Sequence, residues 1–354
     1  MKNNVNNLLD LRSMLKSELE EKFKNLDLLA YRADQVYSWV TKGALNFDSM
    51  TNISKKEKDF LKKHFYIDNI TTEKVLTSKK KDGTKKYLFK LRDGELVESV
   101  LMKYKYGYTA CISTQVGCKM GCKFCATGKS GFTRNLTAGE MLMQIQKINT
   151  DNNIRISRIV LMGMGEPLDN YNNVLKFLKI VSDENSLNIS KRNISLSTCG
   201  IVDKIRELSK ENMPITLSVS LHASNDEIRN KIMPVNKRYN IKDLLSSCKD
   251  YVNKTGRRIS FEYTLISGLN DSYNCAIELS NRLKGILCYV NLISLNKTFK
   301  EFPYNSASNE NLYKFKSVLL NKGINATIRR SLGEDIEAAC GQLRNRKIFK
   351  NSLS

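Results

Sequence analysis

"CKMGCKFCATG", residues 118–128, carries thiols at Cys118, Cys122 and Cys125, a C-x3-C-x2-C spacing with no fourth cysteine nearby. A structural zinc site closes four ligands, usually as two pairs. Here the triplet has no second pair, and the only histidines are His64 and His222. Three thiolates can instead hold three irons of a [4Fe–4S] cluster, leaving the fourth iron open to a small ligand. The pattern around this loop sets the fold, and the missing ligand sets the chemistry.

From about residue 108 outward, strand-like and helical runs alternate. Strands are expected at 109–114, 158–162, 193–197, 215–221, 259–266, 288–294 and 326–330. Helices are expected at 138–149, 171–182, 202–210, 241–254, 272–284 and 309–321. Such βα units imply an α/β fold with a parallel sheet, and six of them suggest a barrel that stops short of closure. The polar oddities fall at the carboxyl ends of these strands. The cysteine loop follows the first, GMGEP (163–167) the second and TCG (198–200) the third. SLH (220–222) ends the fourth, and Asn296 lies just past the sixth. That rim is where parallel sheets place active sites.

Before this core, residues 1–75 read as a helical accessory block. Leu11 to Leu26 is amphipathic, 31–40 is a short helix, and Ser54 with Glu57 forms a capping box. Residues 76–104 read as a hairpin extension turning at Asp93-Gly94. Lysines 79–81 and 85–86 flank it and are expected to be exposed, either as phosphate contacts or as a solvated edge. The core is taken as 105–345 and the tail as 346–354.

The chain has no signal-like apolar start and no eighteen-residue apolar run, so a cytoplasmic protein off the membrane is expected. In that reducing compartment its nine cysteines point to metal binding or chemistry, not to a disulfide framework. A formal charge of +22, from 58 Lys and Arg against 36 Asp and Glu, favours a polyanionic partner. Charge alone leaves a merely solvated basic surface open.

Beyond spacing, the stretches "ACISTQVGCKMGCKFCATG", "LMGMGEPLDN", "SLSTCGI", "SLHASNDEIR", "VNLISLN" and "DIEAACGQLR" resemble, in order, the RlmN/Cfr family of radical S-adenosylmethionine (SAM) RNA adenosine methyltransferases. The likeness runs over about residues 25–345. It implies a partial (βα)6 radical SAM barrel, with SAM as the ligand of the open iron. It also implies two SAM per turnover and RNA substrates, 23S rRNA and tRNA next to the anticodon. GEP at 165–167 resembles the RlmN branch, which methylates carbon 2. The Cfr branch methylates carbon 8, confers antibiotic resistance and tends to have GEA.

In the mechanism the resemblance implies, Cys340 takes a methyl group from one SAM. A second SAM, cleaved reductively, yields a radical that removes hydrogen from that methyl. The carbon radical adds to the base, Glu98 accepts the carbon-2 proton, a role open to Cys111 as well, and Cys111 resolves the adduct by a transient disulfide with Cys340. Gly165, Glu166, Ser197, Ser220, Leu221, His222 and Asn296 match SAM-contacting positions. An electron donor such as flavodoxin or ferredoxin and a monomeric state are also expected.

Each residue has a plainer reading. Cys340 could be a core thiol, Cys111 a strand-core residue, Glu98 an exposed strand glutamate and His222 a satisfied core histidine. Cys199, Cys248, Cys275 and Cys288 read as structural. A zinc-stabilised RNA-binding module and a radical SAM enzyme with another substrate remain as alternative classes.

Overall fold

The computed structural model describes residues 8–80, 82–296 and 303–343. The expected tail, 346–354, lies outside the described residues, as do positions 1–7 of the accessory block and Lys81.

The large sheet has ten strands: β1 (Thr71–Thr77), β2 (Lys85–Lys90), β3 (Leu96–Tyr104), β4 (Gly107–Cys111), β5 (Ile156–Leu161), β6 (Ile194–Thr198), β7 (Thr216–Ser220), β8 (Ile259–Leu265), β9 (Cys288–Ser294) and β10 (Ala326–Ile328). Spatial order follows chain order from β1 to β10. β1 to β4 pair antiparallel, and every pairing from β4 to β10 is parallel. Both ends of the sheet are edges, so the barrel stays partial, as expected.

Six helices connect the parallel strands: α4 (Ala138–Asn152), α5 (Tyr171–Ser182), α6 (Val202–Leu208), α8 (Ile241–Thr255), α9 (Tyr273–Leu283) and α10 (Asn309–Asn321). They follow α1 (Lys16–Asn25), α2 (Ala30–Thr41) and α3 (Lys55–His64) of the amino-terminal block, while α7 (Asp226–Ile232) is an added turn between β7 and α8. Caps set several of these starts. Ser54 accepts from the Glu57 N–H, the Glu57 carboxylate accepts from the Ser54 N–H, and Thr137 and Glu140 repeat the device on α4.

The hairpin is not a separate appendage. Val100 sits opposite Cys111 in the β3–β4 register, so the sheet runs unbroken from hairpin to barrel. Its first partner, β1, starts at Thr71, inside the stretch read as the helical block. That strand alternates polar residues and was masked by its low hydrophobicity. The lysine expectation also changes. Lys86 is buried and 3.4 Å from Glu98, Lys85 donates to Asn152, and Lys80 pairs with Glu334.

The parallel strands alternate cleanly. Leu196, Leu217, Val219, Phe261, Tyr263, Val290 and Leu292 pack outward in the main core. The opposite, concave face is polar: Ser197 is level with Ser218, Ser220 with Glu262, and Glu262 with Asn291. The amino-terminal block has its own core around Leu19, Phe23, Val36, Tyr37 and Phe65.

Fully buried Arg12 stitches that block to the barrel. Its guanidinium donates to the carbonyls of Asp68, Val40 and Ala44 and to Gln146 of α4, the last at 2.6 Å. Replacing Arg12 with Met removes the donor to these groups and to Asn69 (3.3 Å), so unfolding free energy should fall by about 3 kcal/mol. Urea denaturation, with limited proteolysis reporting early release of residues 8–70, measures this.

Candidate active site

The loop after β4 carries the three thiols. The Cys118 N–H donates to the Gly131 carbonyl (2.7 Å) and the Cys125 N–H to that of Cys122 (3.2 Å), which folds the loop back on itself. Two glycines let its neighbour approach. A Cβ on Gly163 would stand 2.5 Å from the Ile112 carbonyl oxygen, and one on Gly165 (φ 104°) would stand 2.6 Å from the Gln115 Cβ. The GMGEP turn therefore lies directly against the start of the cysteine loop.

Glu166 is buried there. Its carboxylate accepts from the N–H groups of Cys199 (2.7 Å) and Leu168 (3.0 Å). Burial pushes its carboxyl upward, opposed by those N–H groups. At the end of β7, His222 takes a positive φ of 55°, and its Nδ1 accepts from the Thr264 N–H, leaving the proton on Nε2. Burial, with Arg229 adding, pushes it down to about 3, so it stays neutral. Its ring meets Phe124 of the cysteine loop edge-on at 4.8 Å.

The carboxy-terminal segment closes the cleft. The Ala126 N–H donates to the Gly341 carbonyl (2.8 Å), the Thr127 hydroxyl to that of Leu343, and Asn296 to that of Cys340 (3.4 Å). Lys86 donates to the Glu337 carbonyl at 2.9 Å. Exposed Cys340 thus comes beside the cysteine loop.

One cleft is lined by Cys118, Cys122, Cys125, Gly165, Glu166, Ser197, Ser220, His222, Asn296 and Cys340. Three expected residues do not line it. Leu221 is fully buried and contributes only backbone, its N–H donating to Glu262 and its carbonyl accepting from Arg229. Cys111 is buried at the end of β4, on the concave face it shares with Val100. Glu98, two residues before Val100 on β3, shares that face and is fully buried, which removes the exposed-glutamate reading. Both Cys111 and Cys340 are free thiols.

Sequence reasoning missed three residues. Cys199, read as structural, lines the cleft, and its N–H holds Glu166. Fully buried Arg229, the last residue of "NDEIR", donates to the carbonyls of Cys199 (2.7 Å), Ser220 (3.2 Å) and Leu221 (3.1 Å). It locks two strand-end turns together. Arg329, just past β10, lies 3.6 Å from Glu262. Cys340 foremost, then Glu262, raise the pKa of its guanidinium against the opposing effect of burial, so it stays charged beside the cleft. The signal for Arg229 and Arg329 was only an arginine at a strand or helix end, which is common on surfaces.

Comparisons with known proteins agree with this geometry. Residues 112–277 match the radical SAM superfamily, and residues 6–67 match the ribosomal RNA large subunit methyltransferase N-terminal domain. A probable dual-specificity RNA methyltransferase RlmN of Alkaliphilus oremlandii (strain OhILAs) is 51% identical over 340 residues, 96% of this chain and 98% of that protein. Its namesake in Clostridium novyi (strain NT) is 49% identical over 353 residues, 99% of this chain and 100% of that one. The chain belongs to the RlmN family of radical SAM methyltransferases. A solved radical SAM methyltransferase from Sphaerobacter thermophilus shares its fold with a TM-score of 0.89, at 41% identity over 95% of this chain and 99% of that one.

Radical SAM enzymes use a [4Fe–4S] cluster and SAM, and the residues present fit both. Among the described residues no three Cys, His, Asp or Glu side chains converge on a single ion. A cluster needs no such convergence, because each thiolate takes a different iron. Burial pushes Cys118 up to about 12 and raises Cys122 and Cys125, so their thiolates depend on a cationic partner. For SAM, the Glu262 Oε2 is a buried acceptor with no hydrogen-bond donor, on a cleft-lining side chain, and suits a ligand hydroxyl.

Changing Arg329 to Gln leaves the buried Glu262 without its cation, a cost of about 3 kcal/mol in stability. The same change should slow methyl transfer at least tenfold, about 1.4 kcal/mol of barrier. Thermal unfolding and single-turnover assays with radiolabelled SAM measure the two effects.

Proposed function

We propose that this radical SAM enzyme methylates carbon 2 of an adenosine in 23S rRNA and of the adenosine next to the anticodon in tRNA. In this reading Cys340 carries the methyl group and Cys111 releases the product. The supporting observation is that the segment after β10 brings a free, exposed thiol into the cleft of Cys118, Cys122 and Cys125, with a second free thiol buried at the end of β4.

Carbon 2 of adenine lies between two ring nitrogens and is electron-poor, so it resists attack on an electrophilic methyl group. The bound cluster and SAM supply the one-electron chemistry that activating a methyl carbon requires. The chain's own residues do the rest. Cys118, Cys122 and Cys125 hold the cluster. Gly165 and Glu166 receive the amino acid end of SAM, and Ser197, Ser220, His222, Asn296 and the Leu221 backbone position its remainder.

Cys340 presents its sulfur from a segment moored by four hydrogen bonds to main-chain carbonyls. Burial pushes the Cys111 thiol up to about 12, with Cys340 adding and Arg329 opposing. Cys111 therefore stays protonated and inert until a reacting group arrives. Glu98, its charge balanced by Lys86, accepts the carbon-2 proton on the face it shares with Cys111. Cys111 then attacks the Cys340 sulfur as a thiolate. The sulfur–sulfur bond forms, and the bond from that sulfur to the transferred carbon breaks. The bonding pair stays on the carbon, which takes up a proton as the methylated base leaves.

Among the described residues no helix is long and apolar enough to cross a membrane. We place the enzyme in the cytoplasm with its RNA substrates, as a monomer reduced by a flavodoxin or ferredoxin.

Cys111→Ala should accumulate a covalent protein–RNA adduct through Cys340, and Cys340→Ala should form none. Denaturing gels of labelled RNA read both, and normal turnover by the Cys111 variant sinks disulfide resolution. Mass-spectrometric mapping of ribosomal RNA from a deletion strain should show one methyl missing from an adenine carbon 2. A methyl mapped to carbon 8 overturns the site assignment.

A further inference from the structure

The turn joining β3 to β4 carries chemistry that the cleft does not use. Tyr104 and Tyr106 stack there with ring centroids 5.1 Å apart and planes within 5°. The Arg158 guanidinium lies 4.5 Å from the Tyr106 ring centroid, and Lys103 lies 6.0 Å from that of Tyr108. Tyr106 is nonetheless 59% exposed, unusual for an aromatic ring already stacked at a two-residue turn.

The position of the stack matters more than its exposure. Tyr104 also lines the small recess formed by Arg329, Arg330, Leu332, Ala339 and Cys340. The aromatic pair therefore runs from the exposed thiol of Cys340 out to solvent. Arg330 beside the recess, Arg158 over Tyr106 and Lys103 near Tyr108 border it with positive charge. A docking site for a protein centres on an apolar anchor depleted of charge. A π-face bordered by guanidinium and ammonium groups is instead the make-up of a single-stranded RNA platform, where bases stack and phosphates meet cations. An adenine that enters a recess must leave its own stack, and the neighbour it abandons loses stacking on one side.

We propose that Tyr106, backed by Tyr104 and Arg158, is a stacking platform for the unpaired nucleotide that flanks the target base. The proposal rests on an RNA base entering the recess at Cys340, but not on which carbon of it is methylated. The ring, not its hydroxyl, is the working part, and any base can occupy it.

Full-length, cluster-reconstituted enzyme is titrated at fixed ionic strength against two fluorescent RNAs. One is a hairpin with unpaired adenosines in its loop, and the other is a fully paired duplex of equal length. Tyr106→Ala should weaken hairpin binding about tenfold and leave duplex binding unchanged. Tyr106→Phe should bind the hairpin within about twofold of the parent, which separates loss of stacking from loss of fold. Melting temperature and SAM affinity of both variants serve as fold controls.

Hairpin binding unchanged in Tyr106→Ala overturns the platform. So does an equal loss on hairpin and duplex, or a Phe variant as weak as the Ala variant. A defect seen only on intact ribosomal particles, with naked RNA unaffected, assigns the turn to a protein contact and also overturns it. If the hairpin result holds while the methyl maps away from carbon 2, the platform stands and the carbon assignment fails.

Discussion

The mooring of residues 337–343 onto the cysteine loop is the constraint on which the site depends. Cys340 lies more than two hundred residues from Cys125, and within its own segment one turn, closed between Ala339 and Gln342, supports the exposed thiol. The carbonyls of Gly341 and Leu343 accept from Ala126 and Thr127, while Asn296 and Lys86 grip Cys340 and Glu337. Each such bond contributes only about 1 kcal/mol net. Together they fix a segment with little core of its own, and they tie its position to the cysteine loop. A rearrangement of that loop is therefore felt at the sulfur.

Buried guanidiniums do the complementary work elsewhere. Arg12 joins the amino-terminal block to α4, and Arg229 joins the turns after β6 and β7. Arg329 joins the end of β10 to Glu262. Each ends in main-chain carbonyls, side-chain amides or a carboxylate, so its planar donor fork is used inside the protein rather than on phosphate. Part of the basic excess is therefore structural, and the charge total overstates the surface available to a polyanion. Lys86 makes the same point on a smaller scale, as an ammonium sealed between Glu98 and the Glu337 carbonyl.

The polar concave face explains how a barrel of ordinary apolar strands can host such a cleft. Because successive side chains alternate, Leu196, Leu217 and Phe261 fill the helix-facing core while Ser197, Ser218 and Glu262 face inward. Leaving the sheet open at β10 keeps that face reachable, and the carboxy-terminal segment narrows the opening.

Local pattern carried the fold a long way. The helix over Tyr171–Ser182, the capping box of Ser54 and Glu57, and the hairpin turning at Asp93-Gly94 all follow from neighbours within a few residues. The strand at Thr71–Thr77 was hidden because an edge strand with polar residues lacks the apolar alternation that marks strands. The C-x3-C-x2-C loop and the strand-end motifs were legible for a similar reason, since cluster ligation and tight turns are short-range demands written in spacing. Tertiary structure alone decided that Leu221 turns away from the cleft into the core, that Glu98 is sealed against Lys86, and that Arg329 stands near both Cys111 and Cys340. Those outcomes depend on which faces meet across the sheet, and a burial or a Coulomb contact between distant residues leaves no trace in the order of the chain.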